Sequence, residues 1–135
     1  MKYKPFLTTA QARAMLDAAL DAAEAEGFAM SIALVDEGGY PLALQRMDGA
    51  GLMTAKVATE KARTAALIRA PSGRLADRLA AEPALLRLTD YLPMAGGLPV
   101  TIEGRCVGAI GVSGGTPAQD EQVGAVGLAV LEAAD

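Results

Sequence analysis

The stretch that decides the fold is Gly96-Gly97-Leu98-Pro99-Val100-Thr101-Ile102-Glu103-Gly104-Arg105-Cys106-Val107-Gly108-Ala109-Ile110-Gly111-Val112-Ser113-Gly114-Gly115-Thr116-Pro117-Ala118-Gln119. Short apolar runs flank Gly104, which predicts two strands, 98–103 and 105–113, joined as a hairpin. Glycine loses more backbone freedom on folding than any other residue, so its density here predicts tight turns or the close approach of another element. Thr116 and Gln119 form a capping box with Pro117 at the first helical position, so a final helix runs to about Ala133.

Toward the N-terminus, Thr8-Thr9-Ala10-Gln11 is a second capping box. It opens a helix to about Glu26 with Met15, Leu16, Ala19, Leu20 and Ala23 on one stripe. From Ala29 the period becomes two: Met30, Ile32 and Leu34 point one way, Ser31, Ala33 and Val35 the other. Asp36-Glu37-Gly38-Gly39 turns the chain into a returning strand, 40–46. Residues 53–69 read as a second long helix ended by Pro71, and Ser72 begins a shorter one limited by Pro83. Residues 84–88 add one more turn, and 91–97 connect to the hairpin. Strands joined by short turns favour an antiparallel sheet with helices on its faces, an α+β architecture in one domain spanning residues 1–135.

Composition narrows the function. The net charge is −4 and the twelve Lys and Arg residues are dispersed, which argues against a nucleic-acid partner. No apolar run approaches the ~20 residues that span a bilayer, and the N-terminus lacks the apolar region of a signal peptide, so a cytoplasmic protein with no membrane partner is expected. The one cysteine, Cys106, excludes an internal disulfide. Histidine is absent, which removes the commonest general base and metal ligand, and the scattered carboxylates match no metal spacing, so no metal site is expected.

Three groups of residues could carry chemistry. The loop Ser113-Gly114-Gly115 follows a strand and opens a helix, where free amides and the helix dipole suit a carboxylate or another anion. Asp120 and Glu121 in the first helical turn can instead neutralise that end themselves. Arg46 and Asp48 lie where the second strand leaves the sheet: an Arg fork suits a carboxylate, and the Asp could accept a proton or form a strand-end ion pair. On the second helix Lys56 pairs with Glu60 at i,i+4 on a solvated face, whereas Lys61 stands among small residues that allow a close approach to the sheet. Alternation puts Cys106 with Gly108, Ile110 and Val112 on one face as a small buried hydrophobe.

The chain resembles the GlcG/HbpS family, which includes the C-terminal domain of PduO proteins and is often labelled haem-binding. The resemblance rests on residues 31–39 (Ser-Ile-Ala-Leu-Val-Asp-Glu-Gly-Gly), 46–50 (Arg-Met-Asp-Gly-Ala), 61–65 (Lys-Ala-Arg-Thr-Ala), 96–99 (Gly-Gly-Leu-Pro) and 107–115, in one order over nearly the whole chain. It implies a profilin-like arrangement, a mainly antiparallel five-stranded sheet flanked by helices, and assembly into a symmetric homo-oligomer. Haem is the cofactor implied, yet some haem-binding relatives hold iron with a histidine, which this chain lacks.

Two functions follow. The first is a small-ligand-binding protein for a tetrapyrrole or a small anionic metabolite, received by Arg46, Lys61, Gly97, Ser113, Gly114 and Gly115. The second is a cofactor-independent isomerase, lyase or hydrolase of a small oxygenated carboxylate, with Asp48, Asp120 or Glu121 as base.

Overall fold

The computed structural model describes residues 1–133. The elements are α1 (Thr9–Ala25), β1 (Ser31–Asp36), β2 (Pro41–Arg46), α2 (Thr54–Ile68), α3 (Gly73–Ala81), a 3-10 turn (Pro83–Arg87), β3 (Gly97–Ile102), β4 (Arg105–Ser113) and α4 (Pro117–Ala133). The strands pair antiparallel in the order β2-β1-β4-β3.

This is an α+β fold with four strands among the described residues, where the family resemblance implied five. The residues entering β3 form the connection expected for 91–97, held by side chains of α2 and of the residue before α3. The Leu92 amide donates to Thr64 Oγ1 at 2.9 Å, the Met94 carbonyl accepts from Ser72 Oγ at 2.6 Å, and Pro93 between them has no amide to give a ladder.

Both capping boxes form. At α1 the Gln11 amide donates to Thr8 Oγ1 and the Thr8 amide to Gln11 Oε1; at α4, Thr116 and Gln119 exchange the same two bonds. Each fixes a helix entry by satisfying amides that the first turn leaves free.

The strand alternation separates two unlike layers. On one face Ile32, Leu34, Ile110 and Val112 pack with Met15, Leu16 and Ala19 of α1 and Val123 of α4. Burying each large aliphatic side chain there contributes about 1.5–3 kcal/mol. On the other face Val35 and Ala109 meet Ala62, Ala65 and Ala66 of α2. This second layer is thin because Gly97 and Gly111 are cross-strand partners beneath α2, where a Cβ on either would collide with the carbonyl oxygen of Lys61 or Ala58. The glycines of the opening stretch thus let the backbone of α2 approach the sheet.

One expectation along β4 is corrected. Val100 pairs with Gly108 while Thr101 pairs with Cys106, so Val107 is an extra residue on the strand. This β-bulge resets the alternation. Cys106 therefore turns away from Ile110 and Val112 toward α2, half-buried, with Sγ 3.7 Å from the Ala66 carbonyl oxygen. On α2, Lys56 is exposed and Glu60 pairs with Arg63 at 3.5 Å.

Candidate functional site

The close approach of α2 carries Lys61 into the interior, where it is 2% exposed. Its Nζ donates to the Val112 carbonyl at 3.0 Å and to Asp120 Oδ2 at 2.8 Å. The other oxygen of Asp120, also 2% exposed, accepts from the Gly115 amide at 2.9 Å. A charge pair removed from water needs further hydrogen bonds, and these contacts engage two of the three ammonium hydrogens and both carboxylate oxygens. Because α2 and α4 cover opposite faces, the pair ties the two helical layers together past Gly96, near the end of the sheet. A Cβ at Gly96 would lie 2.9 Å from Lys61 Nζ and 2.7 Å from the Val112 carbonyl oxygen, and its φ of 128° is one that glycine tolerates.

A second buried hub, Ser72, fixes the adjoining loop. Its Oγ donates to the Met94 carbonyl and accepts from the Gly97 amide at 2.8 Å, while its own amide donates to the Gly97 carbonyl at 2.9 Å. Together with Thr64, which holds Leu92, it shapes residues 92–97 into one wall of a cleft.

That cleft, of 630 Å³, opens between the N-terminal ends of α3 and α4. Pro71, Pro93, Ala95 and Pro117 give apolar walls, and Met94 adds a thioether. Arg74 and Asp77 project from α3, with Glu121 on α4. None of these three charged groups makes an ion pair among the described residues. The space is within the range of small-molecule sites, and a guanidinium beside two carboxylates can orient a ligand carrying both an acceptor and a donor.

The structure distributes the sequence-derived site residues over three places. Lys61, Gly97, Gly115 and Asp120 come together in the buried network, and the Gly115 and Thr116 amides are taken by Asp120 and Gln119. Gly114 packs on the backbone of Ala29 and Met30. Ser113 is largely buried in a cross-strand row with Ser31 and Arg46. Arg46 and Asp48 are exposed at the β2 edge, and with adjacent strands ~4.8 Å apart Arg46 lies roughly 10 Å from Ser113. Glu121 reaches the cleft. Sequence reasoning passed over Ser72, Thr64 and Arg74: a serine at a helix start and a threonine inside a helix carry no mark of the distant loop they bind.

Elsewhere on α2, Arg63 donates to Asp90 at 3.1 Å and lies 5.3 Å from the centre of the Tyr91 ring. The Asp90 hydrogen bond raises the guanidinium pKa further above its ordinary value. No group of three or more Cys, Asp or Glu side chains converges as a metal site among the described residues, and none of their helices is long and apolar enough to cross a membrane.

The two-faced antiparallel sheet, with its buried lysine–aspartate link and a cleft between helix ends, defines a single class of α+β domain. Residues 7–129 match the family described as haem degrading protein HbpS-like, and the chain belongs to that family. Protein GlcG of Escherichia coli (strain K12) is 39% identical over 114 residues, 84% of this chain and 85% of the relative. A Streptomyces reticuli HbpS double mutant superposes with a TM-score of 0.90 at 41% identity, over 97% of this chain and 90% of that one. A PduOC:heme complex shares the fold at a TM-score of 0.86 and 23% identity, over 93% of this chain and 94% of that one.

Proposed function

We propose that this protein binds a small anionic metabolite in the cleft between α3 and α4. The observation that carries the reading is the placement of Arg74, Asp77 and Glu121 around one 630 Å³ space with a wall fixed by Ser72. Arg74 receives a carboxylate, the two acidic residues receive hydroxyl or amine groups, and the apolar walls accept a short carbon skeleton.

Haem is the ligand that the family description and the PduOC complex bring to mind. The donor set fits it poorly: the chain has no histidine, Met94 is the one side chain of the cleft among the usual axial ligand types, and two carboxylates oppose the propionates of a porphyrin. A ligand with one anionic end and hydroxyl groups fits better.

Thermal-shift screening of small hydroxy- and amino-carboxylates tests this. A ligand at about 100 times its Kd stabilises the fold by about 2.7 kcal/mol, or roughly 10 °C for a domain of this size. Arg74→Ala should abolish that shift while leaving the unliganded Tm within ~2 °C, as expected for an exposed side chain. Saturable, stoichiometric haem binding with a Soret shift, and no response to carboxylates, would replace this ligand class with the tetrapyrrole.

Assembly into a symmetric homo-oligomer is part of the same proposal. The segment from α3 through the 3-10 turn buries none of its residues, and Leu86 and Leu88 are 58% and 80% exposed. Apolar surface of this kind is characteristic of subunit contacts.

A further inference from the structure

A second cavity, of 380 Å³, lies at the C-terminal end of α2 and shares no lining residue with the cleft. Its lining is polar: Lys4, Glu37, Arg69, Thr101, Arg105 and Cys106. Three of the chain's twelve basic residues thus meet in one cavity of a protein whose net charge is −4. Glu37 is engaged by Lys4, whereas Arg69 and Arg105 make no ion pair among the described residues.

Arg69 has a second peculiarity. It ends α2 in the left-handed conformation, φ 55° and ψ 39°, a position that glycine or asparagine fills more easily. A side chain retained there against backbone preference points to a use for its guanidinium. It lines the cavity with Arg105, which starts β4, and with the hydroxyl of Thr101 on β3. Two forks and a hydroxyl around one space match a compact oxyanion carrying at least two negative charges, each fork able to hold two oxygens.

We propose that this cavity is a binding site for a small polyvalent oxyanion, held by Arg69, Arg105 and the Thr101 hydroxyl, with Lys4 neutralising the Glu37 carboxylate. Cys106 is a built-in reporter. It lines the cavity, it is half-buried, and it is the only cysteine in the chain, so alkylation reads this site alone.

The experiment measures the rate of iodoacetamide modification of Cys106 by intact mass, at constant ionic strength set with chloride. Inorganic pyrophosphate and oxalate are the probes, so a phosphate-type ligand is distinguished from a dicarboxylate. The expected result is saturable protection by one or both, weakened about tenfold or more by Arg105→Gln through loss of a charge-assisted bond. Arg69→Gly should weaken it similarly while leaving the Tm equal or higher, because glycine relieves the left-handed backbone. That pairing separates a ligand-binding role from a structural one. Absence of saturable protection by either probe, or protection that survives unchanged in both variants, would overturn the site.

Discussion

Removing either partner of the Lys61–Asp120 pair should cost far more than removing both. Lys61→Met leaves the Asp120 carboxylate buried with only the Gly115 amide, and Asp120→Leu leaves the ammonium with only the Val112 carbonyl. An uncompensated buried charge costs about 3–5 kcal/mol, a large share of the ~5–15 kcal/mol that stabilises a domain. The double variant Lys61→Met/Asp120→Leu carries no charge into the interior. It still orphans the Gly115 amide and a lone pair of Val112, together about 1–3 kcal/mol, partly offset by apolar packing. The coupling energy is therefore at least about 3 kcal/mol. Urea unfolding followed by far-UV circular dichroism reads it directly. With m near 2 kcal/mol/M, each single variant should lower the midpoint by about 2 M and the double variant by less than about 1.5 M. Additive losses, or single variants each costing under ~1 kcal/mol, would refute the view that the pair is desolvated and mutually dependent.

Three further outcomes follow from packing and capping. Gly111→Ala drives a methyl group into the Ala58 carbonyl, so α2 must lift and stability should fall by about 1–3 kcal/mol or more in the same urea assay. Thr116→Ala removes the hydroxyl that accepts the Gln119 amide and should cost about 1 kcal/mol, with unchanged helix content by circular dichroism. Light scattering of the wild-type chain should report an oligomer that Leu86→Glu/Leu88→Glu reduces in size while preserving the fold; a wild-type monomer would dismiss the assembly.

The local grammar of the chain was readable because it depends on near neighbours. Both capping boxes, the alternation in β1 and the hairpin about Gly104 are written within a few residues of where they act. The Val107 bulge was not, because one extra residue in a strand shows only against its partner, and it reversed the side on which Cys106 falls. Lys61 stood out by its small neighbours, but its partner is 59 residues away and no local pattern names it. The cleft was the least visible part. Glu121 stands out in the first turn of α4, whereas no local pattern marks Arg74 or Asp77 on their short helix; only the fold sets them opposite α4.

The link between α2 and α4 also bears on the order in which the molecule can form. When α2 first meets the sheet during synthesis, the helix that carries Asp120, 59 residues further along the chain, has yet to emerge. Seating α2 fully at that stage would strand an ammonium group in the interior, so its final docking waits for the C-terminal helix. A chain cut before α4 should therefore hold α2 loosely against its glycine-lined sheet, and faster limited proteolysis of that truncated chain would show it.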